Sequence, residues 1–375
     1  MERYDVAVVG AGIAGASLAW RLAARCRVLL LERESQPGLH STGRSAAMFM
    51  ESYGPPQVRA LTRAGRDFYT APPAGFTDVP VLAPRGVLYV AAPGQQDLLD
   101  ETWAALAGSG SRIERVSAAD ALARVPVLRP ERVLAAIAEP DAMDVDVHAL
   151  HQGFLRGLKR QGGVLRCDAE VESARRVGAT WTLTLAGGER VQAATLVDAA
   201  GAWADDLAQH CGVPPVGLVP HRRSAFVFKP PEGLDAGAWP TVCGIDEGWY
   251  FKPDAGRLLG SPANADPVPP HDVVPEELDI ALGIHRIEEA TTLSIRRPER
   301  TWAGLRSFVP DGELVIGFDP AAEGFFWLAG QGGYGIQSAA GASALAASLL
   351  LGEALPAELA SQGVDPAAVS PGRLR

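Results

Sequence analysis

The strongest constraint on this chain is the stretch YDVAVVGAGIAGASLAWRLAARCRVLLLERE, which begins at Tyr4. Val6, Val8 and Val9 make a short apolar strand, and Gly10, Gly12 and Gly15 fill a G-x-G-x-x-G turn. Residues 13–25 read as an Ala/Leu-rich helix, and Val28 to Leu31 form a second apolar strand that ends at Glu32. Each part has a mechanical role. Gly10 permits the tight turn, Gly12 lets a pyrophosphate approach the backbone, and Gly15 lets helix and strand pack closely. The helix N-terminus, with Ile13 and Ala14 in its first turn, offers unpaired N–H groups and positive dipole to phosphates. Glu32, twenty residues past Gly12, is placed to accept from ribose hydroxyls. Strand, turn, helix, strand and acid in this order predict a bound adenine dinucleotide. The motif alone leaves NAD and FAD both open.

Bulk properties narrow the class. The 375 residues suffice for about two to three domains. A net charge of −10 argues against nucleic acid, which requires a basic face, and the charges form no single-sign run. Cys26, Cys167, Cys211 and Cys243 are scattered without a C-x-x-C, so they read as free thiols, not as a disulfide set or a zinc site. His148 and His151 share a helix without a metal-binding motif, and no metal site is expected. No basic n-region precedes the first strand, and Arg21, Arg25 and Arg27 interrupt the longest apolar stretch. The expectation is a cytoplasmic protein without a transmembrane segment, with peripheral membrane association left open.

Further elements are visible by periodicity. Residues 147–158 carry an apolar helical stripe, residues 164–200 read as short strands, and 181–185 alternate with period two. Residues 222–228 and 249–252 are further strand candidates, and 334–352 form an Ala/Leu-rich helix after a glycine cluster. In LVDAAGAWADDL (196–207) an apolar strand runs into Ala199, Ala200 and Gly201, then Trp203. Small residues there let the chain pass close to a nucleotide. A second turn of this kind, with no second G-x-G-x-x-G, suits FAD better than NAD.

Taken together, GAGIAG with Glu32, HSTGRSAA at 40–47, AAGAWADDL at 199–207, TWAGLRSFVPDGELVIG at 301–317 and GQGGYGIQSA at 330–339 resemble the D-amino-acid oxidase superfamily of FAD enzymes. RRSAFVF, YFKPDAGRLLGSPANADP and EEATTLSIRRPERTWAGLRSF are similar to bacterial FAD-dependent D-amino-acid dehydrogenases of the D-arginine dehydrogenase type. The resemblance covers nearly the whole chain. It implies an α/β protein with a discontinuous Rossmann-like FAD-binding domain (1–47, 145–220 and 300–375). An α+β substrate domain with an antiparallel sheet would occupy 48–144 and 221–299.

Residue by residue, the resemblance assigns FAD to Gly10, Gly12, Ile13, Ala14, Gly15, Glu32 and Arg33. It adds the loop Ser41, Thr42, Gly43, Arg44, Ser45, Ala46 and Ala47, then Val171, and the second turn Ala200, Gly201 and Trp203. Gly304, Arg306, Gly332, Gly333, Tyr334, Gly335, Ile336 and Gln337 complete the set. Ala47 stands where some relatives carry a flavin-linked His, and no Cys follows Cys243, so the FAD is expected to be non-covalent.

Arg306 matches a substrate carboxylate holder, because a planar guanidinium bonds a carboxylate bidentately. Tyr250 matches a second carboxylate contact, Arg222 a further pocket arginine with Arg223 as its solvated neighbour, and Tyr53 a tyrosine near the substrate amine. Gly333 is expected beside them. The implied reaction is oxidative deamination: hydride transfer from the α-carbon to flavin N5, then hydrolysis of the imino acid to a 2-oxo acid and ammonia. The resemblance implies a dehydrogenase with an unidentified electron acceptor, a quinone or another, with oxygen left open. Arginine-preferring relatives carry an acid where Val87 stands here and a polar residue where Met48 stands. The expectation is therefore a preference for neutral or hydrophobic D-amino acids, or a broad one, with Glu51 left open as a displaced counter-charge for cationic side chains. Two other functions remain open: a glycine/sarcosine-type oxidase or 2-hydroxyacid dehydrogenase, and a non-catalytic FAD-binding electron-transfer protein.

Overall fold

The computed structural model describes residues 1–375. The N-terminal fingerprint folds as strand Glu2–Val9, helix Ile13–Ala23 and strand Val28–Leu31. The first strand is central in an eight-stranded sheet, with Val28–Leu31 parallel on one side and Arg190–Asp198 parallel on the other. Val164–Arg166 extends the sheet beyond Val28–Leu31, and Phe325–Ala329 runs parallel to Arg190–Asp198. Val171–Val177 and Thr180–Leu185 add an antiparallel hairpin.

Successive side chains of a strand point to opposite faces. Val6, Val8, Val28 and Leu30 enter one core with the helices, and Ala7, Leu29 and Leu31 enter the other with Trp181 and Trp327. Parallel strands covered on both faces read as continuous apolar runs, which is why Val28–Leu31 is apolar at every position. The C-terminal helix Gly335–Leu351 is buried from Gly335 to Ser348. Its small residues have a packing cause: a Cβ at Gly341 would lie 2.2 Å from the Leu61 carbonyl oxygen in helix Pro56–Thr70.

The two nucleotide turns are adjacent. Gly10 has φ +100°, and a Cβ there would lie 2.3 Å from the Ala199 carbonyl oxygen. The position demands glycine both by conformation and by contact.

A second sheet has nine strands. Val219–Phe228 lies near one edge, flanked by Arg257–Ser261, and Tyr250–Asp254 comes next. Helix Glu277–Ala290 packs over this sheet, with Ile287 against Phe226 and Phe228. Arg300–Phe308 corrects one expected boundary. This strand was expected with the FAD-binding unit, yet it pairs antiparallel along Val219–Phe228, from Val219 opposite Phe308 to Val227 opposite Arg300. Local sequence marks it as a strand, but its partner is set by tertiary pairing. A three-stranded sheet of Met48–Phe49, Leu82–Pro84 and Met143–Val145 lies between the two large sheets. No helix is long and apolar enough to cross a membrane.

Candidate active site

A channel runs from the fingerprint to the second sheet. It comprises a cavity of about 220 Å³ and one of about 260 Å³, which share Gly12, Ser41, Thr42, Ala199, Gly201 and Ala202 as walls.

The smaller cavity is walled by Gly10, Glu32, Arg33, Val171, Ala200 and Trp203. Glu32 is buried and accepts from the Ala11 N–H at 3.0 Å and the Glu34 N–H at 3.1 Å. It therefore shapes its own loop as well as facing the cavity. The Arg33 guanidinium lies 3.9 Å from the Trp203 ring centre, a cation–π stack on the cavity wall. His151, buried in helix Val147–Arg160, bonds the Ala11 carbonyl at 2.8 Å, so it braces the phosphate turn instead of binding metal.

Both helix N-termini that face the channel lack side-chain caps. In the first, Ile13 donates to Thr42 Oγ1 at 3.0 Å, which leaves the other first-turn N–H groups for a ligand. The second, at Gly335–Gln337, opens on the larger cavity with Gly332 and Gly333. Gln331 Nε2 is buried at that wall without a hydrogen-bond partner. An elongated channel with two uncapped helix ends and an orphan donor fits an anionic dinucleotide carrying a polar ring system.

Ile13, Ala14, Arg44, Ser45, Ala46, Ala47, Gly304 and Ile336 also line the larger cavity. Three expected cofactor residues do not line either cavity. Gly15 packs on Gly10, where a Cβ would lie 2.0 Å from the Gly10 carbonyl oxygen. Gly43 packs likewise on Gly38, with 2.4 Å to its carbonyl oxygen. Tyr334 sits behind the wall, its ring edge-on to Tyr53 at 5.1 Å, and its phenol is pushed up to about 12 by burial and then by Tyr53.

Four polar side chains converge at the far end of the larger cavity: Arg306, Arg223, Tyr53 and Tyr250. Arg306 Nη2 is 3.4 Å from the Tyr53 hydroxyl, and a Cβ on Gly333 would lie 2.4 Å from the same nitrogen. Gly333 thus makes room for the guanidinium. Arg223 donates from Nε to the Asn264 carbonyl at 2.6 Å. Neither arginine pairs with a carboxylate. Burial lowers the pKa of Arg306, but the phenols of Tyr53 and Tyr250 outweigh it and the net shift is upward. Arg223 is shifted down, first by burial and then by the charge of Arg306. Two like charges held together in a half-buried wall favour an anionic occupant between them.

The structure corrects the expected arginine. Arg222 faces away from the cavity and pairs with Asp279 at 2.9 Å, with Glu276, and with Asp266 at 3.6 Å. Arg223 is the one in the pocket. The parity was readable: Arg222 shares its face with Phe226 and Phe228, which pack under helix Glu277–Ala290, whereas Arg223 shares its face with Ala225 on the cavity side.

Two pocket expectations also move. Glu51 is buried in an ion pair with Arg66 and does not reach the cavity. Val87 is buried with Met50 and Ala142 on the cavity side of its strand, covered by Met48, Tyr53, Tyr89 and Cys243, so it backs the wall without lining it. Met48 does line the cavity, and Thr241 donates its hydroxyl to the Met48 sulfur at 2.9 Å.

Sequence reasoning missed Tyr89, Met50, Cys243, Trp249 and Lys252 in this wall, and Glu247, its sole carboxylate. Lys252 is tied to Asp144 at 2.6 Å, and Asp144 in turn to Arg85 at 2.6 Å. The period-two spacing of Tyr250 and Lys252 on one strand face was an available signal for the lysine.

The fold and channel define a dinucleotide-binding oxidoreductase with an anion seat at its far end. The model of the family "FAD dependent oxidoreductase" (DAO) matches residues 5–349, and the chain belongs to that family. Its cofactor is FAD. Glycine oxidase from Pseudomonas aeruginosa is 27% identical over 400 residues, covering 98% of this chain and 99% of that protein. Bovine FAD-dependent oxidoreductase domain-containing protein 1 is 24% identical, covering 93% of this chain and 82% of that protein. Among solved structures, glycine oxidase from Geobacillus kaustophilus superposes with a TM-score of 0.85 at 24% identity, covering 99% of this chain and 98% of that one. L-proline dehydrogenase from P. horikoshii gives 0.84 at 20% identity, with the same coverage. At these identities the superpositions establish the fold.

Proposed function

We propose that this enzyme oxidises the α-carbon of D-amino acids, and that the imino product hydrolyses in water to a 2-oxo acid and ammonia. The observation that carries this reading is the convergence of Arg306 and Arg223, both without carboxylate partners, at one end of the FAD channel. FAD supplies the two-electron acceptor.

The chain's residues bind and orient the substrate. Arg306 and Arg223 take the α-carboxylate, and the Tyr53 and Tyr250 hydroxyls add neutral donors to the same anion. A charge-assisted hydrogen bond of this kind contributes roughly 1.5–3 kcal/mol. Fixing the carboxylate fixes the α-carbon, and a displacement of about 1 Å costs on the order of 100-fold in rate. The uncapped N-terminus of Gly335–Leu351 offers a positive dipole end to negative charge developing on the cofactor. The D-configuration follows the sequence resemblance.

The side-chain region is lined by Met48, Met50, Tyr89 and Trp249 beside two arginines. Apolar walls next to fixed positive charge favour neutral or hydrophobic side chains over D-Arg and D-Lys. FAD is bound without a covalent link: Ala47 lines the cavity where a linking His would stand, and burial pushes the Cys243 thiol up to about 12, away from the reactive thiolate. Denaturation is expected to release all flavin into the supernatant.

A glycine/sarcosine-type oxidase is the second reading, favoured by the full-length similarity to glycine oxidase. A 2-hydroxyacid dehydrogenase would use the same seat. An anaerobic panel separates these readings. Bleaching of the bound flavin by D-Leu or D-Met, faster than by glycine, sarcosine or 2-hydroxyglutarate, supports the proposal. Fastest bleaching by one of the latter three overturns it, and no bleaching by any compound supports a non-catalytic flavoprotein. D-Arg exceeding D-Leu tenfold in kcat/KM would remove the specificity claim.

A further inference from the structure

Helix Pro56–Thr70 begins three residues after Tyr53, and its N-cap position is Pro55, which has no side chain that can cap. The carboxylate of Glu313 fills that role from a distant part of the chain. Oε1 accepts the Gln57 N–H at 2.8 Å and Oε2 accepts the Val58 N–H at 3.2 Å. Glu313 is buried and lies in the turn that follows Arg300–Phe308, the strand that carries Arg306. That turn is itself fixed. The Glu313 N–H donates to Asp311 at 3.1 Å, and Arg373 pairs with Asp311 at 2.7 Å and donates to the Glu313 carbonyl at 3.3 Å.

One carboxylate therefore joins the strand bearing Arg306 to the helix whose lead-in loop bears Tyr53. The lead-in is tight. Gly54 has φ +101°, and a Cβ there would lie 2.8 Å from a Val58 methyl, so the residue next to Tyr53 passes close against the first helical turn. A negative group also matches the positive end of the helix.

We propose that Glu313 is a positioning residue of the anion seat: by holding the first turn of Pro56–Thr70, it sets the Tyr53 hydroxyl against the anion bound at Arg306. This rests on the reading of Arg306 and Tyr53 as the carboxylate seat.

The test uses the FAD-loaded enzyme and benzoate, a carboxylate that is not oxidised, with Kd read from the perturbation of flavin absorbance. Glu313→Ala is expected to raise the benzoate Kd about tenfold at unchanged FAD content. Glu313→Gln, which keeps one acceptor oxygen, should raise it about two- to fourfold. In a Tyr53→Phe background, Glu313→Ala should add less than about twofold, because coupled residues are non-additive. An unchanged Kd, or a full tenfold loss on top of Tyr53→Phe, overturns the proposal. If the Ala variant does not fold, the Gln variant carries the same cycle. Benzoate binding needs no turnover. A cycle that holds while no amino acid bleaches the flavin counts against the substrate reading and leaves this proposal standing. A benzoate Kd that Arg306→Ala leaves unchanged removes the seat, and this proposal with it.

Discussion

The two ends of the channel are built on opposite principles. At the adenosine end the charges are already satisfied: Glu32 accepts two backbone N–H groups, and Arg33 pairs with Glu34 at 3.0 Å. Glycine backbone and helix ends are left to meet the ligand. At the substrate end two arginines stand together, neither paired with a carboxylate although Glu247 lines the same wall, and Gln331 Nε2 has no partner. The first end is finished structure that admits one ligand shape. The second is incomplete electrostatics, which only an anion completes.

The sharpest way to break the comparison is at Gly10. Gly10→Ala places a Cβ 2.3 Å from the Ala199 carbonyl at φ +100°, so FAD binding should be lost, with yellow colour absent from the purified protein. A variant that retains stoichiometric FAD would show that the turn is less constrained than its geometry requires.

At the other end, Arg306→Ala should leave FAD content intact and lower kcat/KM by about 1,000-fold, since both binding and alignment are lost. Loss of FAD together with activity would mean that the two ends are not separable.

The adjacent arginines sharpen the point further. Arg223→Ala should lower kcat/KM by about 30-fold with little change in Tm. Arg222→Ala should do the reverse, because it removes the buried guanidinium that pairs with half-buried Asp279: Tm should fall by roughly 3–6 °C with kcat/KM within about twofold. Kinetics and thermal melts on the same two preparations decide it, and equal effects on both readouts would contradict the assignment.

The smallest effect concerns Asp198, at the end of the strand that leads into the second nucleotide turn. Its Oδ1 accepts the Ala200 N–H at 3.0 Å, while Oδ2 is buried without a partner. Burial raises its carboxyl pKa well above the ordinary value. A native pKa above the unfolded one adds stability below the unfolded pKa, and that increment is lost as pH rises through the native value. Asp198→Asn keeps an acceptor and cannot ionise. Its Tm relative to wild type should therefore improve as pH rises above the ordinary carboxylate range. A pH-independent difference would contradict a carboxyl pKa raised by burial.

How far the sequence reached follows the same division. The FAD end was legible because its signals are local. Glycine spacing, the acid after the second strand and the small residues at 199–201 report backbone geometry within a few residues. The helices Val147–Arg160 and Gly335–Leu351 were legible by composition and periodicity. The substrate end depends on which face of a strand meets which partner. Alternation told that one of Arg222 and Arg223 faces the pocket, but choosing between them needed the packing of Phe226 and Phe228. Val87 and Glu51 failed because tertiary contacts cover them: Met48, Tyr53, Tyr89 and Cys243 pack over Val87, and Glu51 is held by Arg66. The pairing of Arg300–Phe308 with Val219–Phe228 joins segments some 80 residues apart and leaves no local trace.

The central claim is that the unpaired arginines seat a substrate carboxylate. The most direct test compares anaerobic bleaching of the bound flavin by D-leucine and by 3-methylbutylamine, the same molecule without its carboxylate. The account predicts bleaching by D-leucine, abolished in Arg306→Ala, and none by the amine at equal concentration. Equal bleaching by both compounds, or by D-leucine in wild type and Arg306→Ala alike, would contradict it.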